Sequence, residues 1–438
     1  MCIRDRFIKL SNSLLSSIFN LKNTSFLVFV TVLNIINFVD RQFLASFANF
    51  IIPDLELTNT QFGLLTGVIF IFFYTVSGLF VGTLADRYNR TKIIGVGVII
   101  WSFFTAVSGL AKNFATLAIP RLFIGIGESA MTPTTMSILA DRYDLKKLGF
   151  AAGFYYMGVP LGVGVSLILA GYLAPIIGWR GCFYLLGAIG VIMGIMMLFI
   201  KDTPRKTVNT QAPQQSFIEI ITLLFKLLRT SKSLVLTIIA GTMYHVLLGA
   251  SVFDQVWAIQ DKGLDRAAFA QASGWIFTIF GLLGSVFGGT FSDWALRKYN
   301  FPRTWFLLIL TLLSIPFAFT RYLEPSDALF WAGICVSAFS LGCFYGPVFA
   351  VIQELVPSNI RGTIVGFNLV CLNLLGYVPG SMIAGIALDS LIASGVEDPY
   401  TITLVGFSVM FLVLGPPLYY FAGKYYESDK KKLETAFN

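Results

Sequence analysis

The sequence predicts an all-α membrane protein with twelve transmembrane helices in two pseudo-symmetric six-helix bundles, and three observations carry that prediction. Of the 438 residues, 56% are hydrophobic and only 12% charged, with a mean hydropathy of +0.77, whereas a soluble chain carries roughly 25% charged residues. The apolar residues fall in runs of about twenty, long enough to cross hydrocarbon as a helix that satisfies its own backbone; the short alternating runs of a barrel do not occur. The third observation is a repeat between the halves, described below.

In chain order the spans fall near residues 26–50, 61–85, 92–111, 115–140, 148–174, 180–200, 233–259, 268–292, 304–321, 327–355, 362–389 and 400–423. Span six is followed by a polar stretch holding Pro204, Gln211, Pro213, Gln214 and Gln215, which has the composition of a linker. The expected organisation is an N-terminal segment 1–25, a first bundle 26–200, a linker 201–232, a second bundle 233–423 and a tail 424–438. Within the linker, Phe217 to Arg229 is an apolar run broken by Glu219, Lys226 and Arg229, expected as an amphipathic helix on the membrane surface.

Orientation follows from the basic residues. With the N-terminus in the cytoplasm, 24 of the 31 lysines and arginines lie in cytoplasmic segments, five in outer loops (Lys112, Arg180, Lys262, Arg266, Arg321) and two, Arg41 and Arg121, inside spans. The positive-inside rule therefore predicts a multi-pass protein of the inner (plasma) membrane with both termini cytoplasmic. The net charge of +8 reflects this topology rather than affinity for nucleic acid. No cleavable signal is evident, so the first span is expected to direct its own insertion.

Cys2, Cys182, Cys335, Cys343 and Cys371 show no metal-ligand spacing and read as small core residues, so neither a metal site nor a disulfide framework is expected. No phosphate-binding Gly-x-x-x-x-Gly-Lys-Ser/Thr loop occurs, and one histidine with scattered cysteines makes no catalytic constellation. A cofactor-free, non-enzymatic protein is expected. A receptor or scaffold would call for large soluble loops or a folded tail, and neither is seen.

The repeat appears at the end of spans two and eight. Gly82-Thr-Leu-Ala-Asp86-Arg87-Tyr-Asn-Arg90-Thr-Lys92 is echoed by Gly289-Thr-Phe-Ser-Asp293-Trp-Ala-Leu-Arg297-Lys298, and one offset of 207 relates Gly82 to Gly289, Asp86 to Asp293 and Arg90 to Arg297. Pro133 with Pro347 and Asp141 with Glu354 continue the match at offsets of 214 and 213. An aspartate at such a helix end can pair with arginines and with a neighbouring helix N-terminus, locking one face shut. Ordinary positive-inside loop charge is the alternative, and it leaves the matched spacing unexplained.

These residues resemble the major facilitator superfamily along essentially the whole chain. Gly82, Asp86, Arg87, Arg90 and Lys92 look like its loop motif between spans two and three, and Gly289, Asp293 and Arg297 like the degraded second copy. Asn37-Phe38-Val39-Asp40-Arg41, Asp86-Arg87-Tyr88-Asn89-Arg90 and Arg121-Leu-Phe-Ile-Gly125-Ile-Gly127-Glu128-Ser129-Ala130 are similar to the Spinster subfamily. Pro160, Gly162 and Gly164, after Gly153 and Gly158, are similar to a glycine-proline stretch common in exporters. The resemblance implies two bundles alternating access to a central cavity, and a substrate that is amphiphilic, lysophospholipid-like or otherwise anionic.

Charges inside apolar spans mark the candidate site, since each costs at least about 2.5 to 3.5 kcal/mol on insertion scales. Asp40 and Glu128 lie about 21 and 18 Å into their spans at 1.5 Å per residue, close to mid-membrane. They are the expected proton carriers, with Arg41 and Arg121 alternately pairing with them or with an anionic substrate; the alternative is a static ion network between spans one and four. Through the repeat, Glu128 and Arg121 map to about Leu341-Gly342 and Ile334-Cys335, so the second half lacks these charges. His245, the only histidine, lies at a depth similar to Glu128 and could contact substrate or simply satisfy a polar position between helices. Asp254 is expected at the interface in a solvated setting, and Tyr155, Tyr156, Trp257, Phe344 and Tyr345 are expected as packing residues, with the lining of a cavity as the alternative. The expected protein is a monomeric, proton-coupled secondary transporter whose partners are protons, the lipid bilayer and a small-molecule or lipid-like substrate. Proton-linked uptake of a small organic anion such as a sugar acid is the second reading.

Overall fold

The computed structural model of the chain describes residues 21–205, 217–356 and 361–437, and leaves the side chains of a few helical residues, Asp86 among them, undescribed. Residues 1–20 of the expected N-terminal segment and residues 206–216 of the linker therefore lie outside the described residues. Among those described, all regular secondary structure is helical.

Among the described residues, eleven helices are long and apolar enough to cross a membrane. Spans one to four are Asn23–Ser46, Asn59–Gly82, Arg90–Ser108 and Phe114–Arg142. Spans seven to twelve are Lys232–Gln260, Arg266–Tyr299, Arg303–Thr320, Ala328–Glu354, Arg361–Ala393 and Pro399–Leu433. The remaining helix, Lys147–Phe199, has 53 residues, about 80 Å of helix against roughly 30 Å of hydrocarbon. Gly178 breaks it, with φ 69° and ψ 167°, a conformation open essentially to glycine alone. Spans five and six lie on either side of that break, which completes the expected twelve.

Local chemistry sets several span starts. Thr58 with Gln61, and Asn113 with Thr116, form capping boxes at the heads of spans two and four. Asn89 and Asp265 accept from the backbone N–H of Lys92 and Ala268 at the heads of spans three and eight. Each cap satisfies donors that a helix N-terminus leaves without partners.

Three apolar cores define the shape. One joins both bundles through Phe47, Phe62, Phe183, Phe253, Trp257 and Leu388 at the end opposite the Gly82 loop. The other two hold buried residues of one bundle each: the first around Trp101 and Tyr155, with Leu374, Tyr377 and Val378 of span eleven packed against it, the second around Val348 and Tyr419. The bundles thus share one buried core at the far face, and toward the loop motifs their buried cores part, leaving a cleft between them. Polar contacts tie the far seam: Asn49 donates to the Gln255 carbonyl at 2.6 Å, Gln271 to the Gly171 carbonyl at 3.0 Å, and Tyr400 to the Asn59 side chain at 3.1 Å. Gly63 and Gly385 face backbone of the opposite bundle so closely that a Cβ would collide with Ser381 or Asn59.

Gly162 and Gly164 serve this packing, lying against Phe38 of span one and Thr278 of span eight, while nothing crowds Gly153. Span eight carries a π-turn at Phe277–Gly281 and span eleven another at Cys371–Tyr377, features that often sit beside functional sites. The linker helix runs Phe217–Thr230; of its described apolar side chains, Leu227 is fully buried, Leu223, Leu224 and Leu228 pack on the second bundle, and Phe225 is exposed. The last helix continues to Phe437, and its buried Asp429 accepts the Ser233 backbone N–H at 2.8 Å at the start of span seven.

Candidate functional site

Asp40 and Arg41 on span one face Arg121 and Glu128 on span four. Asp40, Arg121 and Glu128 are only 1–2% exposed. Adjacent residues on a helix diverge by about 100°, and the neighbours Asp40 and Arg41 take different partners. Arg41 places Nε at 3.2 Å and Nη2 at 3.1 Å from Glu128 Oε2. Asp40 Oδ2 accepts the hydroxyl hydrogen of Thr105 on span three. Thr105 also lies 2.9 Å from the Trp101 carbonyl, so it can donate to an ionised Asp40, or to Trp101 while accepting from a protonated one.

Arg121 does not pair with a carboxylate. Its Nη2 donates to the Arg41 backbone carbonyl at 3.1 Å, and its guanidinium lies 4.6 Å from the Phe70 ring centre. Arg41 sits over Tyr74 at 4.4 Å and Phe38 at 4.8 Å. Aromatic faces are good neighbours for partly desolvated guanidinium groups. Asp40 Oδ1, Glu128 Oε1 and Arg121 Nε have no hydrogen-bond partner among the described residues, which leaves the cluster polar capacity for a proton, water or ligand. Arg41 is its most accessible member, with 23% of its side chain exposed.

His245 stands in the other bundle. Its Nδ1 is 2.9 Å from the Gly241 carbonyl and its Nε2 is 3.3 Å from the Tyr345 hydroxyl. The structure does not bring it into contact with the acids.

The loop motif divides into a structured part and an exposed part. Arg90 is buried and pairs with Asp141 at the end of span four and with Asp202 at 3.3 Å, and it donates to the Thr203 carbonyl at 2.6 Å. Arg87 and Lys92 are exposed, and a Cβ added at Gly82 or Gly289 would meet open space. In the second bundle Arg297, the counterpart expected from the uniform offset, is exposed. The residue that does the work of Arg90 is Arg303, which pairs with Glu354 and lies 2.6 Å from Asp293. Arg90 and Arg303 each begin a span and differ by 213, the offset of Asp141 and Glu354; this signal was present in the sequence. A loop six residues longer in the second copy explains the slip. Among the described contacts, each cluster ties helices of its own bundle.

Asp254 also departs from expectation. It is paired with Arg321 at 2.8 Å, and Arg321 lies 5.0 Å from the Trp257 ring. The two are adjacent only because spans seven and nine end side by side, a relationship no spacing reveals. Thr105 and Tyr74 were missed for the same reason.

The family model of the Major Facilitator Superfamily matches residues 30–381. The chain belongs to the Major Facilitator Superfamily. This transporter is 26% identical to a probable sphingolipid transporter, spinster homolog 1, of Arabidopsis thaliana, over 88% of its own length and 86% of the relative's. It is 27% identical to a hexuronate transporter of Bacillus subtilis, covering 83% and 87%. Its fold is that of a crystallised bacterial homolog of the human lysosomal transporter Spinster, in an inward-facing and unoccupied conformation. There the TM-score is 0.82 at 23% identity, over 93% of this chain and 98% of the other.

Proposed function

We propose that this transporter is proton-coupled and moves an amphiphilic, lysophospholipid-like or otherwise anionic molecule by alternating access. The observation that carries the reading is the Arg41–Glu128 pair, in which a guanidinium reaching the cleft is held by a carboxylate with 0% side-chain exposure. An anion arriving in the cleft competes for Arg41. If Arg41 turns to the anion, Glu128 is left without its counter-charge in a site that cannot solvate one, and a proton neutralises it. Substrate and proton are then bound as one event. Asp40 is the second proton carrier, with Thr105 able to serve either protonation state, and Arg121 holds the Arg41 backbone in place.

The basic-residue bias supports plasma-membrane insertion with both termini and the loop motifs on the cytoplasmic side. On that orientation the cleft opens inward. The Gly82–Lys92 motif, with Asp293 and Arg297 in the second copy, is the gating element of that face, and the protein acts as a monomer.

Uptake of a small organic anion is the second reading, favoured by the similarity to the hexuronate transporter. Purified protein in liposomes with an imposed pH gradient tests the coupling. Glu128→Gln is expected to abolish proton-driven flux while substrate exchange persists. Equal loss of both in a folded variant would assign the cluster a structural role. Competition between lysophospholipids and sugar acids for that flux separates the two substrate readings.

A further inference from the structure

The second bundle meets the cluster with hydroxyls rather than charges. Tyr345 on span ten is half-buried and lies against His245 on span seven, whose Cβ abuts Gly376 on span eleven. The next residue, Tyr377, packs against the first-bundle core that includes Phe70 and Tyr74, the rings beneath Arg41. A ligand that bridges from Arg41 to the second bundle meets this group of residues.

The direction of that hydroxyl is set from behind. His245 Nδ1 faces the Gly241 carbonyl at 2.9 Å, and a carbonyl only accepts, so Nδ1 carries the ring hydrogen. The ring is 5% exposed, between Tyr244 and Phe344, where the neutral form has the lower desolvation cost. A neutral ring protonated at Nδ1 has only a lone pair at Nε2. The Tyr345 hydroxyl, 3.3 Å away, must then donate to it, which leaves Tyr345 only acceptor capacity toward the cleft.

We propose that Tyr345 is a specificity-determining residue that reads a hydrogen-bond donor on the substrate next to its anionic group, and that His245 is the positioning residue that fixes this polarity. The substrate is then an anion bearing a neighbouring hydroxyl or amine. A lysophospholipid with its free glycerol hydroxyl and a sugar acid share that chemistry. The inference rests on the anionic-substrate reading above. It adds that a bare anion, with no donor beside its charge, is a poor ligand.

Calorimetric binding to the purified full-length protein tests it with two probe pairs: 1-oleoyl lysophosphatidate against its 2-deoxy analogue, and D-gluconate against 2-deoxy-D-gluconate. Within the pair whose parent binds, the parent is expected to bind about five- to tenfold tighter than the deoxy compound, the range of one hydrogen bond. Which pair responds identifies the lipid or the sugar-acid source. Tyr345→Phe keeps the ring and is expected to erase the difference by weakening the parent alone. His245→Leu leaves the hydroxyl in place but frees its direction, and is expected to narrow the ratio as well; a residue that merely packs would leave the ratio intact.

Equal binding of parent and deoxy compound by the wild type would overturn the proposal, as would tighter binding of the deoxy compound or a preference that survives in Tyr345→Phe. Failure of both parents to bind would overturn it together with the anionic-substrate reading. Proton-driven flux that depends on Glu128, with no parent-to-deoxy preference, would sink this inference while leaving the coupling mechanism standing.

Discussion

Asp389 on span eleven takes two hydrogen bonds from Thr60 at the head of span two, one from its backbone N–H at 2.8 Å and one from its hydroxyl at 2.6 Å. Its other oxygen accepts from the Asn59 backbone N–H at 2.9 Å and from the Asn59 side-chain amide at 3.0 Å. A carboxylate of one bundle therefore satisfies the free N–H groups at a helix N-terminus of the other. In any state that opens the far face, this contact is broken.

Asp389→Asn replaces one acceptor oxygen with an amide that opposes N–H donors. The expected cost to the closed far face is about 1–3 kcal/mol, roughly a 5- to 150-fold shift toward far-face opening. Spin labels on exposed Lys112 and Glu397, one in each bundle, should report a longer-distance population in the variant. An unchanged distribution would show that the apolar seam holds the face shut without the carboxylate.

Arg41→Lys keeps the charge but loses the two-point contact with Glu128 and the planar stacking over Tyr74 and Phe38. Lysine is a poor substitute where both are used, so kcat/KM for proton-driven transport is expected to fall about 10- to 100-fold, or roughly 1.4–2.8 kcal/mol. Retained wild-type transport would mean that Arg41 supplies only positive charge.

Arg303→Ala strands Asp293 and Glu354 beside an emptied site; the arginine is buried but its acids are 50% and 27% exposed, so solvent offsets part of the loss and the expected cost is about 1–2 kcal/mol. Arg297→Ala, at an exposed position, should change stability by no more than about 0.5 kcal/mol. Melting temperatures of the purified variants check the pairing of Arg303, rather than Arg297, with Arg90. Similar losses in the two would contradict it.

Gly178→Ala forces a side chain into a backbone conformation reserved for glycine, at a cost of about 1–3 kcal/mol. A lowered melting temperature with intact helical content is expected, because the break between spans five and six is strained while the helices on either side are not. An unaffected variant would place the turn elsewhere.

Much of the fold was legible because bilayer physics writes it locally. A helix in hydrocarbon must be apolar over about twenty residues whatever it packs against, and the expected spans agree with the helices to within a few residues at most ends. The site was legible in part, for a related reason. Asp40, Arg41, Arg121 and Glu128 are conspicuous because charge inside a span is costly, and their depths follow from counting along each helix. Which arginine holds which acid was not legible. That choice depends on how spans one, three and four are rotated about their axes, and the sequence gives only an angular spacing along each one.

The sequence by itself determined the membrane class, the twelve crossings, the duplication, and the four charges that had to be placed away from lipid, since each follows from the cost of exposing polar groups to hydrocarbon. Only the tertiary structure decided that Glu128 takes Arg41 while Asp40 takes Thr105, that Arg303 replaces Arg297, that Asp254 is paired, and that Asp389 caps a helix of the opposite bundle. Those contacts join residues far apart in the chain, and their energies depend on distance and direction in space, which no spacing along the sequence encodes.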